Sequence, residues 1–167
     1  EYCIIKPHNV FGPKQNIWDK YRNVLGIWML QNLNKQPITI FGDGSQRRAF
    51  SYIEDCLEPL WNASEKKEAK NQIVNLGGCK SKSLNEAADI LLEVMGYGEK
   101  TYLEKRHEVK NAWSTYEKSE KILGYNEKYT LSEGLNEMYS WAIKQPKRKQ
   151  FKWENYEITD KLYSYWK

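Results

Sequence analysis

The side chains that could do acid–base, nucleophilic or metal chemistry are few in this 167-residue sequence. The cysteines Cys3, Cys56 and Cys79 are odd in number and widely separated, so they predict neither a disulfide framework nor a CxxC-type metal site. His8 and His107 are the only histidines, and the carboxylates show no metal-ligand spacing. We therefore expect buried free thiols and no metal.

Arg48 is the side chain with the clearest binding chemistry. It follows a tight glycine turn, Gly42-Asp43-Gly44-Ser45. A planar guanidinium can hold two phosphate oxygens at once, which a lysine cannot do equally well. From its immediate neighbours alone, the commoner case is a surface arginine on a hairpin. Whether Arg48 binds phosphate or is a surface arginine depends on the strands and helices that position it.

Hydrophobic spacing and turn residues predict those elements. Strands are predicted at 2–5, 38–41, 49–53, 73–76 and, as a minor candidate, 102–103. Helices are predicted at 19–34, 54–67, 84–95, 116–123 and 131–144, and Ser83-Leu84-Asn85-Glu86 has the spacing of a capping box. Because strands and helices alternate, the predicted fold class is α/β, a mixed α+β arrangement of a small sheet with several helices.

Two expectations concern strand pairing. The strands 38–41 and 49–53 flank the glycine turn, so they predict a hairpin. The run 2–5 has no polar alternation and is typical of a buried strand, but nothing before it in this chain supplies a parallel neighbour. We therefore expect it to pair with another copy or another chain, which makes the protein a homo-oligomer and not a monomer.

The composition is that of one globular domain. Lys and Arg number 26 against 22 Asp and Glu, the formal charge is +4 and 40% of the residues are apolar, which excludes a disordered polyelectrolyte. No apolar run approaches the ~18 residues of a membrane span, and the first residues lack the order of a signal peptide. The expected compartment is cytoplasmic, with no membrane partner.

The end of the chain differs from the rest. Residues 145–167 hold six Lys or Arg, three Asp or Glu and six aromatic residues. We therefore divide the chain into a domain at 1–144 and a basic aromatic tail at 145–167. Docking of the aromatic side chains onto the domain is the favoured interpretation, and nucleic-acid binding by the tail is the weaker one.

Three segments carry a family resemblance. They are Lys6-Pro7-His8-Asn9-Val10-Phe11-Gly12-Pro13, then Phe41-Gly42-Asp43-Gly44-Ser45-Gln46-Arg47-Arg48-Ala49-Phe50-Ser51-Tyr52-Ile53-Glu54-Asp55, then Asn75-Leu76-Gly77, with weaker matches at Arg106-His107-Glu108-Val109-Lys110 and Leu123-Gly124-Tyr125. In this order they resemble the C-terminal half of the NAD-dependent epimerase/dehydratase family, the UDP-glucose 4-epimerase-like extended short-chain dehydrogenases. The resemblance covers residues 1–144. It implies the substrate-binding domain of such an enzyme without its Rossmann half.

The resemblance also implies a nucleotide-sugar site. Its substrate-binding residues would be Asn9, Thr39, Ile40, Phe41, Arg48, Arg106 and Glu108, and Pro7 and His8 would lie at the nicotinamide edge of a cofactor. Arg48 and Arg106 would hold the diphosphate and Glu108 a ribose hydroxyl. Lys105 is the alternative to Arg106, which we prefer for its forked geometry. Phe41 would pass the base, either stacking on it or filling the core.

In a complete enzyme the resemblance implies oxidation of the sugar at C4 by NAD and return of the hydride. This sequence has no Gly-rich phosphate loop, and the Tyr-x-x-x-Lys string at Tyr2–Lys6 falls in a predicted strand. We assign no catalytic residue and no cofactor to this chain alone. NAD is implied if an N-terminal-half protein supplies the dinucleotide site. The alternative is a non-catalytic oligomerising or partner-binding module derived from that domain.

Overall fold

The structure is a computed structural model that describes residues 1–19 and 23–148. Its strands are β1 (Cys3–Pro7), β2 (Val10–Phe11), β3 (Ile38–Phe41), β4 (Arg47–Ala49), β5 (Ser51–Tyr52), β6 (Gln72–Leu76), β7 (Ser81–Ser83), β8 (Lys100–Leu103) and β9 (Asn111–Ala112). Its helices are α1 (Val24–Leu33), α2 (Ile53–Glu65), α3 (Leu84–Met95), α4 (Glu117–Leu123) and α5 (Leu131–Ala142), and a 3₁₀ turn covers Lys67–Ala69. These elements confirm the predicted mixed α/β class.

Two sequence-based expectations fall wholly or partly outside the described ranges. Most of the predicted tail lies beyond residue 148, so its proposed docking and its nucleic-acid alternative stay predictions. The predicted first helix includes residues 20–22, which also lie outside the described ranges. Among the helices that are described, none is long and apolar enough to cross a membrane.

The first strand has a partner within the chain. β1 pairs in parallel with β6 along its whole length, so the expectation that it would lack such a neighbour is wrong. The partner lies some 70 residues later in the sequence, where proximity cannot be read from local pattern. β1 is not buried on both faces either: Val74 and Leu76 of β6 lie in the core, but Ile4 is 45% exposed and Ile73, its register partner, is 48% exposed.

The predicted hairpin between the next two strands does not form. β3 pairs in parallel with β8, whereas β4 lies between β7, its antiparallel partner, and β9, its parallel partner. The glycine turn is present, but the strand that follows it, β4, runs beside β7 and not beside β3. The Leu84 N–H, at the start of α3, donates to the Gln46 carbonyl at 3.0 Å and fixes the end of the turn there. A turn signal predicts a change of direction and leaves the choice of ladder partner to tertiary packing.

The helix ends follow local sequence signals. The capping box at Ser83 and Glu86 is formed as predicted, and α3 ends at Gly96 in the left-handed conformation. A second capping box, Thr130 with Glu133, opens α5. The first helix begins later than predicted, at Val24, because the side chain of Asn23 accepts a hydrogen bond from Leu25 N and caps it.

The main core lies between α1, α3, α5 and β3. Trp28, Ile38, Ile40, Leu91 and Leu135 are fully buried there. Each large apolar side chain buried in this way contributes about 1.5–3 kcal/mol. The indole Nε1 of Trp28 also donates to the Thr39 carbonyl at 2.6 Å, which ties β3 to α1. The carboxyl end of β3 is therefore held in a fixed position.

Candidate nucleotide-binding site

A cavity of about 380 Å³ opens where β3 and β8 end. Because the two strands are parallel, their carboxyl ends meet at one edge, and the segments that follow them face each other. The lining residues are Phe41, Gly42, Asp43, Ser45, Gln46, Lys105, Arg106, Glu108 and Lys110. Three of the predicted substrate-binding residues, Phe41, Arg106 and Glu108, thus meet at one cavity.

The glycine turn forms one wall of this cavity. Gly42 and Gly44 have φ angles of +74° and +71°, which favour glycine. Asp43 accepts a hydrogen bond from Ser45 N at 2.9 Å, and hydrogen bonds from Ser45 lower the pKa of its carboxyl. The amide of Asn85, in the first turn of α3, donates to the Asp43 carbonyl at 2.8 Å. The turn is therefore anchored to a helix and keeps a negative charge at neutral pH.

The opposite wall is a stacked and ion-paired cluster. The guanidinium of Arg106 lies over the Phe41 ring, 3.5 Å from its centre, and its Nη2 bonds to Glu108 Oε1. The other carboxylate oxygen of Glu108 lies 3.7 Å from Nη2 of Arg48. Between 18% and 27% of each of the three charged side chains is exposed. Glu108 therefore orients two guanidiniums at the cavity.

Arg47 and Arg48 point to different surroundings although they are neighbours. Arg47 forms an ion pair with Glu86 at 3.3 Å and donates to the Ser81 carbonyl at 2.7 Å, so it braces β7 and α3. Arg48 donates to the backbone carbonyls of Arg47 and Lys110 and pairs with Glu108. Arg48 is thus a half-buried part of the cluster and not a surface arginine on a hairpin.

The arrangement suits an anionic ligand that carries a flat ring. The cationic side chains that line the cavity are Lys105, Arg106 and Lys110, and the lining carboxylates are Asp43 and Glu108. Arg48 is not a lining residue and is connected to the site through its ion pair with Glu108. Guanidiniums bind phosphate oxygens in pairs, and an aromatic ring with a guanidinium on its face offers a stacking surface. Both Arg106 and its alternative Lys105 line the cavity. Of the two, Arg106 makes the ion pair with Glu108.

Two predicted base-contacting residues have their side chains occupied. The side chain of Ile40 is fully buried in the core. Thr39 bonds through its hydroxyl and its N–H to the Gln31 amide, and its carbonyl accepts from Trp28. Contact of these residues with a ligand base stays a prediction. Phe41, the next residue, lies at the cavity and outside the core.

The three residues predicted to meet a sugar or a nicotinamide lie apart from the cavity lining. Asn9 has a φ of +37° and donates from its amide to the Ala49 carbonyl at 2.8 Å. The carbonyl of His8 accepts from Ser51 Oγ at 2.7 Å. Pro7 is exposed at the carboxyl end of β1. These bonds hold β1, β4 and β5 together at one edge, and a ligand role for the three residues stays a prediction.

Some lining residues were not singled out from the sequence. Gln46 donates from Nε2 to the Phe41 carbonyl at 2.9 Å, a hydrogen bond across the glycine turn. The carbonyl of Lys110 accepts a hydrogen bond from Arg48. Gln46 could have been found from its place inside the glycine turn. Lys110 could not, because only the pairing of β9 with β4 brings it near.

All three cysteines are free thiols, but only Cys56 is fully buried, whereas Cys3 and Cys79 are partly exposed. Burial raises the pKa of both Cys56 and Cys79 to about 11, so both are thiols at neutral pH. The described residues include no group of three or more metal-ligating side chains.

Comparison with known proteins identifies the family. Residues 1–77 match the NAD dependent epimerase/dehydratase family. The putative UDP-glucose 4-epimerase of Methanocaldococcus jannaschii is 34% identical over 143 residues, which cover 84% of this chain and 45% of that protein. The chain belongs to the NAD-dependent epimerase/dehydratase family. It spans between 30% and 45% of the length of six curated relatives that it matches.

Solved structures of the family agree with the fold. An epimerase from Methanothermobacter thermautotrophicus has a TM-score of 0.80 at 28% identity, over 84% of this chain and 43% of that one. The Bacillus cereus UDP-glucuronic acid 4-epimerase, in complex with UDP-glucuronic acid and NAD, has a TM-score of 0.74 at 30% identity, over 83% of this chain and 44% of that one. The predicted resemblance to part of an extended short-chain dehydrogenase is therefore confirmed.

Proposed function

We propose that this chain forms the nucleotide-sugar-binding part of a UDP-sugar epimerase-type enzyme and does not catalyse the reaction by itself. Two of the relatives named above are a putative UDP-glucose 4-epimerase and a UDP-glucuronic acid 4-epimerase, and the second was solved with UDP-glucuronic acid and NAD. The observation that carries the proposal is the cluster of Arg48, Glu108, Arg106 and Phe41 at the cavity.

The cluster matches the parts of a UDP-sugar. The diphosphate carries two negative charges, and Arg48 and Arg106 offer forked donors that Glu108 already holds in position. Lys105 and Lys110 add positive charge at the rim of the same cavity. Since the guanidiniums are oriented before binding, less side-chain entropy is lost when the ligand arrives.

The residues present do not form a dinucleotide site. The sequence contains no Gly-rich loop between a strand and a helix, which is how this type of fold cradles a pyrophosphate. Pro7 and His8, at the carboxyl end of β1, could contribute only an edge to a nicotinamide. We therefore derive no hydride transfer from this chain, and NAD belongs to the proposal only together with a dinucleotide-binding half.

A bare sheet face supports such a partner. Parallel sheets are normally covered on both faces, yet β1 and β6 leave Tyr2, Ile4 and Ile73 about half exposed. A dinucleotide-binding half, in the same polypeptide or in a second one, would cover this surface and extend the sheet.

Isothermal titration calorimetry with UDP-glucose and with UDP-glucuronic acid tests the binding proposal. We expect Arg48→Ala to weaken binding by roughly 1.5–3 kcal/mol, the scale of a hydrogen bond to a charged group. Arg47→Ala is the matched control, because Arg47 turns towards Glu86, and it should change affinity much less. Equal affinity in wild type and the Arg48 variant, or no binding of either sugar nucleotide, would refute the proposal.

The second candidate is a non-catalytic module that associates with itself. The same exposed apolar residues favour it, since two copies could cover each other's β1–β6 face. The two candidates differ in what they bind. The enzyme part binds UDP-sugars through Arg48, and the module self-associates without any response to them.

A further inference from the structure

A second cavity, of about 240 Å³, lies between β7 and the segment that leads into α5. Phe50 and Tyr52 contribute to its wall from the β4–β5 segment, and Tyr129 contributes from the loop before α5. Among the described residues, none lines both this cavity and the one at Arg106. We call it the Tyr52 pocket.

Aromatic rings line the Tyr52 pocket. The centres of the Tyr52 and Tyr129 rings are 5.0 Å apart in an edge-to-face arrangement, and Phe11 lies 5.7 Å from Tyr52 on the other side. Phe11, Phe50 and Tyr52 are at most 7% exposed, so their rings are fixed by packing, whereas Tyr129 is 40% exposed at the mouth. Fixed rings bind a flat ligand at little entropic cost.

The rim of the pocket is cationic. Because side chains alternate along a strand, Lys80 and Lys82 lie on one face of the β7 segment, and Lys82 is the register partner of Arg48. The side-chain ammonium of neither lysine forms a hydrogen bond or an ion pair with the part of the chain that the structure describes. Lys128, the third lysine of the wall, is 3.6 Å from Glu58 and is already paired.

One carboxylate also lines the wall. Burial raises the pKa of Glu127, and the positive charge of Lys80 acts against that shift. With Lys128 paired to Glu58, the remaining charged groups of the wall are Lys80, Lys82 and Glu127, which leave at least one positive charge in surplus at neutral pH. Unpaired ammonium groups beside buried rings are placed to bind a negative charge attached to an apolar body.

We propose that the Tyr52 pocket binds a small aromatic anion, with its ring against Tyr52 and Tyr129 and its carboxylate or phosphate at Lys80 and Lys82. The site is separate from the proposed UDP-sugar site, and it does not depend on that function. The cavity has room for a single six-membered ring with one anionic substituent, and a whole sugar nucleotide exceeds it.

The proposal is tested by titrating the full chain with phenyl phosphate, benzoate and benzyl alcohol. Binding is measured by the NMR line broadening of the ligand and by calorimetry. We expect the two anions to bind with a Kd of about 1 mM or tighter and the neutral alcohol to bind much more weakly. The double variant Lys80→Gln/Lys82→Gln should weaken anion binding about tenfold or more. A preference between the two anions identifies the charged group that the lysines suit.

Two controls separate this site from others. Lys67→Gln removes an exposed lysine from the 3₁₀ turn and should leave anion binding unchanged. Saturating UDP should not displace phenyl phosphate, because the two cavities share no lining residue. The proposal is overturned if neither anion binds, if the double variant binds as well as wild type, or if UDP displaces the probe. Lys80 is exposed and Lys82 is partly exposed, and neither ammonium is paired, so the double variant should keep the wild-type thermal melt.

Discussion

At the cavity the strongest constraints act on single side chains. Arg106 is held twice, by the Phe41 ring beneath it and by Glu108 at its edge. Arg106→Lys keeps the charge but loses the fork and the stacking surface, so we expect UDP-sugar binding to weaken by about 1–2 kcal/mol. Calorimetry with UDP-glucose measures this change.

The alternative residue at the neighbouring position supplies the control. Lys105→Ala removes one rim charge without touching the cluster of Arg106, Phe41 and Glu108. If Lys105→Ala costs more affinity than Arg106→Lys, Lys105 is the family's second cation and our preference for Arg106 is wrong.

Part of this site could be predicted from residue types. Arg48 and Arg106 are forked cations near a glycine turn and a short strand end, and both reach the cluster. The double pairing of Glu108 could not be predicted, because it depends on β4 and β9 lying side by side. The surroundings of Thr39 and Ile40 could not be predicted either. The Thr39 hydroxyl bonds to Gln31 of α1, and the Ile40 side chain is buried in the core.

Among the elements, α5 depends on a titrating cap. Hydrogen bonds from Thr130 lower the pKa of Glu133 below the ordinary glutamate value of 4.5, so its charged form is favoured in the folded protein. This contribution to stability is present above pH 4.5 and is lost as the pH falls through the lower folded value. We expect the melting temperature of wild type to exceed that of Glu133→Gln at pH 7 and the gap to narrow below pH 4.5.

A matched substitution on the same helix checks this cause. Glu137→Gln removes a carboxylate one turn further along α5, at a position outside the capping box. Its melting temperature should track wild type across the same pH range. A gap for Glu133→Gln that stays constant down to pH 3 would mean that the cap does not titrate with folding.

The glycine turn at the cavity is a second element with a testable requirement. Gly44→Ala forces a side chain into the left-handed region, and its Cβ would collide with the Asn85 amide that holds Asp43. Gly96→Ala incurs the same backbone strain, about 1 kcal/mol, with nothing within 4 Å of the new methyl group. Chemical denaturation should therefore report a larger loss for Gly44→Ala, and equal losses would refute the collision.

Sequence pattern predicted the elements better than their pairing. The helices at 84–95 and 117–123 end where glycines adopt the left-handed conformation, a local signal that a sequence carries directly. β7 is Ser-Lys-Ser, which has no apolar alternation, so nothing in its composition marks it as the partner of β4. The hairpin was wrongly predicted because local sequence suggests the next strand as a partner and carries no information on partners that lie far along the chain.

On the scale of the whole molecule, the two-stranded sheet of β1 and β6 has one covered face. Cys3, Ile5 and Val74 pack inward beneath α2 and α4, and Ile4 and Ile73 face outward opposite each other. Full burial of an isoleucine stabilises by about 1.5–3 kcal/mol. Covering two half-exposed isoleucines would therefore contribute about the same amount, roughly 1.5–3 kcal/mol, to association with a partner. Because β1 pairs with β6, it needs no second copy to complete a ladder, and the exposed apolar face is what favours association.

Because of that face, we expect the 167-residue chain to self-associate when no other partner is present. Ile73→Glu places a charge at the centre of the outward patch, so we expect it to shift the chain towards the monomer. Ile143→Glu is the control, because Ile143 is similarly exposed, at 55%, but follows the end of α5. Light scattering across micromolar concentrations distinguishes the outcomes. A mass of 19.8 kDa for wild type that does not change with concentration would mean that the sheet face stays bare and that self-association plays no part.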